Sequence, residues 1–411
     1  MTRATLDLVR TLPSISVVVA WASVTRGLRW SAQLALAFSC AACCSTRECP
    51  SLQVQRTWRT EYSESGEHDT SLQRLLREHP DEAVHVLVLS GGGSNGAWGA
   101  GVLNGWRAHS SDPRPRFHVV TGISTGALIA TFAFLGTEKD DAALEEAYTT
   151  VSKEDIYVDR SKLSLLFSNS LATLEPLGRL IAKHVTNEVI DRVAEEGRTS
   201  KRRLYVGTVN LDQGRLKIWD MTALAMGADE ARYNKYRSIL VAAAAIPALF
   251  PPVMIDGSLH VDGGAREQLF VRKIMLPLGI EQEEEQRRGR VLTITMHVLV
   301  NGKLGVGTEC VQDCLLPIAL RSVTLLLDAN IMGNLLQSKY LADAFKVNWR
   351  LCRIPDDVEA NPDSHAFITA EMQALYRRGV IWGQGGTPQD RWEVQLPEME
   401  DATRRMLKEQ P

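Results

Sequence analysis

The run VHVLVLS (84–90) is apolar at almost every position and passes straight into GGGSNGAWGAG (91–101). An apolar strand without polar alternation belongs in a parallel sheet covered on both faces. The glycines at 91, 92, 93, 96, 99 and 101 leave backbone that something else can approach closely. FHVVT (117–121), the turn GISTG and the helical TGALIATFAFL (125–135) repeat the same order. Strand, helix, strand, helix predicts an α/β fold with a mainly parallel central sheet.

Later segments extend this pattern. RLYVGTVNL (203–211) and RLKIWD (215–220) flank Asp212-Gln213-Gly214, a hairpin signal. A helix is expected near 229–245, a second tight hairpin over 254–264 and a buried strand within 289–300. From about 301 the pattern is mainly helical, including 313–345 and 364–382. No linker splits this part, so residues 81–395 are expected to form a single domain, with 396–411 a tail. Residues 50–80 are polar and read as a tether, with a short helix over SLQRLLREH (71–79).

Residues 1–49 read as a leader. Arg26 and Arg29, then the short apolar run SAQLALAFSCAACC (31–44), have the order of a secretory signal. Small residues before Cys43 resemble a bacterial lipoprotein cleavage site, although Cys40 stands where leucine is usual. Cys43 is therefore the lipidation candidate, with Cys40 and Cys44 behind it, and the expected location is exported and membrane-anchored. With 46 Lys and Arg against 49 Asp and Glu, net charge is −3, without the basic footprint of a nucleic-acid binder. Seven cysteines are too few for a disulfide scaffold. Cys310 and Cys314 lie four apart, a spacing that a helix would put on one face, and are a possible pair in an oxidising compartment. His297 is too isolated to suggest zinc.

Gly91-x-Gly93-x-x-Gly96 also fits the dinucleotide fingerprint. That fold wants an acidic residue at the end of its second strand, ~20 residues on. Here Asp112 lies in a Pro-rich loop before the strand, and the strand ends in Thr121-Gly122-Ile123-Ser124-Thr125-Gly126. Gly-x-Ser-x-Gly between a strand and a helix has the context of a nucleophile elbow. Gly122 and Gly126 keep the turn free of side chains, and Ser124 is the candidate nucleophile. Attack on an ester makes an oxyanion, which backbone N–H groups stabilise. Gly91, Gly92 and Gly93, with the Thr125 N–H, are the candidate oxyanion hole.

A base must accompany the serine. His260, His297 and His365 follow it, so the order Ser, Asp, His is open. The better candidate is Asp262 in HVDGG (260–264), where a strand runs into a tight turn at Gly263 and Gly264. A free aspartate titrates near 4, and burial would raise it into a useful range.

With SGGGSNGAWGAG, GISTG and VDGG in this order, the chain resembles the patatin-like phospholipase family. AAAAIPALFPPVMIDGSLHVDGG (242–264) is similar to that family's Ala/Pro/Phe-rich lead into its Asp-Gly-Gly motif. The resemblance covers about 84–300 and weakens towards 385. It implies a three-layer α/β/α sandwich and a Ser–Asp dyad that hydrolyses acyl esters of lipids, with no cofactor and no metal. The nucleophile carries to Ser124, the dyad aspartate to Asp262 and the oxyanion loop to Gly91, Gly92 and Gly93. Two positions depart from the family. Ser90 stands where aspartate is frequent, and Asn95 replaces the arginine or lysine before Gly96.

The expected function is a serine acyl hydrolase, acting through an acyl-enzyme on lipid or phospholipid at a membrane surface. The rival is a lipid-binding lipoprotein of the same fold that has lost turnover. Trp98, Trp106 and IPALFPPV (246–253) are candidates for the lining of an acyl channel, with a place in the core the better reading of each taken singly.

Overall fold

The computed structural model describes residues 72, 75, 76, 83–161, 168–290, 292–305, 310–385, 387 and 391–396. The chain divides into two units, residues 1–48 with 160–169 and residues 49–159 with 170–411. Every element named below belongs to the second. The leader and Cys43 lie outside the described residues.

Along the chain the strands are β1 (Val84–Leu89), β2 (Val119–Gly122), β3 (Val158–Asp159), β4 (Ala172–Thr173), β5 (Arg203–Asn210) and β6 (Arg215–Asp220), then β7 (Val253–Ile255), β8 (Ser258–Asp262), β9 (Ile294–Leu299) and β10 (Asn348–Cys352). The helices are α1 (Gly96–Arg107), α2 (Thr125–Leu135), α3 (Glu138–Thr149), α4 (Lys153–Ile156), α5 (Glu175–His184) and α6 (Asn187–Thr199), then α7 (Met221–Ala225), α8 (Ala231–Ala243), α9 (Arg272–Arg287), α10 (Leu315–Ala344) and α11 (Thr369–Gln384). One large sheet has the order β10-β9-β1-β2-β5-β8-β7, with β6 also paired to β5. Neighbours from β10 to β5 are parallel, whereas β6, β7 and β8 join antiparallel. The fold is thus α/β, a mixed sheet with a parallel centre.

Strand β1 shows why helices cover both faces. Val84, Val86 and Val88 enter one core with Ile294, Met296, Val298, Met275 and Leu335. Leu87 and Leu89 point the other way, into a core with Val120, Leu204, Ala127, Ile129 and Leu240. Side chains alternate across a strand, so a strand apolar at both registers needs a layer on each side. Helices α9 and α10 serve the first core, and α1, α2, α3, α5, α6, α8 and α11 the second.

Part of the glycine row in α1 serves packing. A Cβ on Gly101 would sit 2.2 Å from Tyr376 O, and one on Gly105 2.1 Å from Val380 O. Gly379 and Gly383 of α11 meet Trp98 O and Val102 O at 2.4 Å in the same way. The two helices therefore pack backbone to backbone, and these glycines do not reach a ligand.

Three expectations change. The region after 301 holds strand β10, parallel to β9 with Trp349 opposite Met296. Its five residues lie between long helices, and only the exposed edge of β9 makes them a strand. Leu72, Leu75 and Leu76 are helical and fully buried in the first core, and Leu396 is buried there too. The packed part thus reaches back into the segment read as a tether and forward to the start of the tail. Cys310 and Cys314 are both free and exposed, so the possible pair is not formed.

Candidate active site

The site forms where the carboxyl ends of β1, β2 and β9 come together, with β8 delivering Asp262 from the antiparallel side. Chain order reverses across β1, since β2 lies on one flank and β9 on the other. Open α/β sheets place ligands at such a switch point.

Ser124 sits between β2 and α2 with φ 53 and ψ −129. A non-glycine residue at positive φ is strained and needs support on all sides. The two elbow glycines give that support by close approach. A Cβ on Gly122 would lie 2.4 Å from Gly126 O, and one on Gly126 2.5 Å from Ser90 O. The elbow is thus pressed against the end of β1, and Ile123 N donates to Leu89 O at 3.2 Å.

The Ser124 hydroxyl lies close enough to the Asp262 carboxylate to favour its ionised form. Gly264 N donates to Asp262 Oδ1 at 2.7 Å, closing the turn through Gly263. Asp262 N donates to Ala245 O at 2.9 Å, which ties the aspartate to the end of α8. Burial pushes the Asp262 carboxyl up to about 6; the Ser124 hydroxyl, the Gly264 N–H and the His365 ring partly oppose the rise. Loss of hydration outweighs those hydrogen bonds because it acts on the whole carboxylate.

The glycine loop lies against the serine. A Cβ on Gly91 would be 3.1 Å from Ser124 Cβ. Gly92 has φ 151 and Gly93 φ 54. A Cβ on Gly92 would lie 1.9 Å from Asn301 O, and one on Gly93 2.3 Å from Ser364 O. Among the described residues, backbone hydrogen bonds donated by the loop run from Ser90 N to Leu299 O and resume only at Ser94 N, to Ser364 O. The N–H groups of Gly91, Gly92 and Gly93 lie between. The Thr125 N–H is in the first turn of α2, where a helix has no internal acceptor.

Several residues that the sequence did not single out complete the setting. Asn301, just beyond β9, donates from Nδ2 to Ser90 O at 2.8 Å and from its backbone N to Ser90 Oγ at 2.9 Å. Ser90 Oγ in turn donates to Gly91 O at 2.7 Å. The serine that departs from the family pattern is thus part of the loop's framework. Tyr148 Oη and Thr125 Oγ1 lie 2.5 Å apart in the interior. Gly96 makes room for that pair, since its Cβ would stand 2.3 Å from Thr125 Oγ1. The Gln268 amide spans the loops at Gly91 and Gly264, and Asn334 Oδ1 accepts from Gln268 N at 2.8 Å. Asn95 closes the glycine turn by donating its backbone N–H to Gly92 O at 3.0 Å. These contacts join residues far apart in the chain, so motif spacing carried no sign of them.

An apolar pocket opens beside Ser124, Thr125 and Gly93, with walls from Leu128, Leu144, Ile181, Leu240, Ile246 and Phe250. Ile246 and Phe250 fall within the expected stretch. Trp98 and Trp106 do not line it; they are buried in the core, Trp98 beside Trp382 and Trp106 beside Trp392 and Phe117. Trp98 packs on Trp382 of α11, whereas Trp106 packs on Phe117, His297 and Trp392.

Of the three histidines, His260 is held by Thr208 Oγ1 at 2.9 Å, and His297 stacks in the core on His85 and meets Trp106 and Trp392 at steep angles. His365 lines the pocket and faces Asp363, Nδ1 to Oδ1 3.5 Å. Among the described residues no group of three or more His, Cys, Asp and Glu could hold a metal ion.

The stretch of chain that carries the elbow, the glycine loop and Asp262 matches a known domain. Residues 87–273 match the family model Patatin-like phospholipase. The matched stretch holds Ser124, Asp262 and the glycine loop, and stops short of β9, β10 and α11. Among solved structures the chain is similar to the crystal structure of VipD from Legionella pneumophila, with 10% identity, 74% of this chain and 67% of that chain covered, and a TM-score of 0.36. No curated protein matches the chain. A patatin-like domain implies acyl hydrolysis of lipids in general.

Proposed function

We propose that the protein is a serine acyl hydrolase that cleaves ester bonds of lipids through a Ser124–Asp262 dyad. The observation that carries this reading is the strained Ser124 at the mouth of an apolar pocket, beside the buried Asp262 carboxylate. Asp262 takes the Ser124 proton as Oγ attacks the ester carbonyl. The oxyanion is held by the N–H groups of Gly92, Gly93 and Thr125, where fixed donors give the largest electrostatic gain. The tetrahedral intermediate collapses, and the proton on Asp262 passes to the departing alcohol or lysolipid. Water then attacks the acyl-enzyme and gives a proton to Asp262, which passes it to Ser124 Oγ as the acyl bond breaks and the free acid leaves. The acyl tail occupies the apolar pocket.

Several observations support the reading. The raised carboxyl of Asp262 brings its proton affinity nearer to what a general base at neutral pH needs. The pocket wall is almost wholly apolar, which suits a fatty chain. In the same proposal the chain is exported and anchored through Cys43, so that it meets substrate at a membrane surface.

The test is turnover of acyl esters of graded length and of phosphatidylcholine, with fluorophosphonate labelling, in wild type and Ser124→Ala. Turnover and labelling confined to wild type are expected. A well-folded wild type that neither turns over nor labels would leave the lipid-binding protein as the better account.

A further inference from the structure

Helix α10 is longer than the layer it covers. Strands β9 and β10 are parallel, so the helix between them runs back from the carboxyl edge of the sheet to the amino edge. Asn334 Oδ1 accepts from Gln268 N and Leu269 N, beside the catalytic turn, which marks where α10 passes the carboxyl edge. From Asn334 to Ala344 it spans ~15 Å, about the length of the five-residue β10. Residues before Asn334 therefore stand past the catalytic edge. The buried residues of α10 are Ile331, Leu335, Ser338 and Ala342, and no described residue from 317 to 330 is buried. The outward face of this free half is apolar. Ile318, Ser322, Leu325 and Ala329 follow at helical spacing, with Leu326 beside them 66% exposed. Leu336 and Tyr340 continue the row. Among the described residues none of the exposed ones from Ile318 to Tyr340 is charged; Arg321, Asp328 and Lys339 are only partly exposed. Two hairpin tips at the same edge add exposed Leu211, just after β5, and Met254, beyond the Asn210–His260 pair.

We propose that the free half of α10 is the surface by which the protein docks on a neutral phospholipid bilayer. The choice of lipid rests on the hydrolase reading above. Position and charge carry the assignment. The elbow and the glycine loop both sit at the carboxyl edge, so an ester held in a bilayer approaches Ser124 from the side where the free half stands. The docking face is thus continuous with the opening it serves. An uncharged row suits zwitterionic head groups and the acyl chains beneath them, and a helix can lay one apolar face into that interface. The same row offers no cation to an anionic membrane or a nucleic acid. A patch of large aliphatic side chains on a helix that projects from the fold marks an interaction site.

The experiment uses the full chain and vesicles of a diether phosphatidylcholine, which has no ester to cleave, so binding is read without turnover. Co-sedimentation is measured for wild type, for Leu325→Glu combined with Leu326→Glu, and for Ile381→Glu. Ile381 is the control, exposed on α11, which runs beside α1 towards the opposite edge. The double variant is expected to weaken binding by at least ~10-fold, because charges replace leucines that the lipid buries, and Ile381→Glu to stay within about 2-fold. Wild-type binding is expected to change by less than about 2-fold between ~50 and ~500 mM NaCl, since no charge pairing holds it. Hydrolysis of p-nitrophenyl butyrate in solution is expected to stay within about 2-fold in the double variant, while turnover of diester phosphatidylcholine in vesicles falls with binding. No binding by wild type, or binding that the double variant keeps, overturns the proposal; butyrate hydrolysis then judges the hydrolase reading by itself. Binding that needs anionic lipid or is lost with salt overturns it too. A wild-type dimer in light scattering that the double variant splits gives the row to a second copy and overturns it likewise. Vesicle binding by a chain that hydrolyses no ester removes the hydrolase reading and leaves the docking surface standing. Should the double variant not fold, Leu326→Glu, at the more exposed of the two leucines, decides.

Discussion

Asn301 Nδ2 donates to Ser90 O at 2.8 Å, and through this bond the end of β9 holds the loop that follows β1. Ser90 O also abuts Gly126, one residue beyond the Thr125 N–H. One side chain from outside the matched stretch thus sets the spacing between glycine loop and elbow. Asn301→Ala is expected to lower kcat by ~10–100-fold with a smaller change in KM, because misplaced oxyanion donors act mainly on the transition state. Steady-state kinetics on a soluble ester checks this. A loss confined to KM would place Asn301 in substrate binding instead.

The glycine loop tolerates no side chain at its second position. A Cβ on Gly92 would overlap Asn301 O at 1.9 Å, and φ 151 is a region that L residues rarely adopt. Gly92→Ala is expected to cut kcat/KM by at least ~100-fold, the usual scale for losing an oxyanion donor. Circular dichroism alongside the assay separates a displaced loop from an unfolded chain.

Activity should fall with acid. In the proposed mechanism Asp262 is ionised when it accepts the Ser124 proton, and burial pushes its carboxyl up to about 6. The rate of fluorophosphonate labelling and kcat/KM on a neutral ester are both expected to decline as pH drops below about 6. A rate flat down to pH ~4.5, near the ordinary value of a carboxylate, would argue against Asp262 as the base.

The same carboxyl costs stability at neutral pH. Its folded-state value is raised from 3.8 to about 6, so the folded chain binds the proton more tightly than the unfolded one. Stability from this group is therefore full below about 4 and is lost as pH rises through about 6. The difference corresponds to about 3 kcal/mol at most. Asp262→Asn is expected to raise Tm at pH 8, with the gain shrinking towards pH 4, and to lower turnover by ~100–10,000-fold. Thermal melts at several pH values test the first part, and a Tm that falls at pH 8 would count against it.

Chain-length selection should follow the pocket wall. Ala147 and Ala244 are half-buried and line it. Ala147→Trp and Ala244→Trp are expected to shift preference to shorter acyl esters, with hydrolysis of a butyrate ester kept within about 3-fold. The expectation is that a steric block acts on the tail and not on the carbonyl. Equal losses on short and long esters would mean that the pocket does not hold the acyl tail.

The sequence by itself determined the local elements and their order. Apolar runs at 84–90 and 203–211, glycine turns and helical periodicity marked β1, β5, β6, α2 and the hairpin before Asp262 close to where they lie. Such patterns are legible because a strand or helix repeats over a few neighbouring residues. The proposed pairing of Ser124 with Asp262 was suggested by two motifs, although no spacing in the chain brings them together.

Tertiary structure decided what each of these elements touches. Whether Trp98 and Trp106 face a pocket or a core depends on which helix packs against α1, and the answer lies in Gly379 and Gly383 near the far end of the chain. Strand β10 exists because the β9 edge was open to it. Asn301, Tyr148 and Gln268 join the site through contacts across the sheet order, and His184 lines the pocket only because α5 folds against α8. A sequence records what each residue is and the period it keeps with its neighbours. Contacts between distant segments are fixed by strand order, register and close packing, which appear only when the chain is folded.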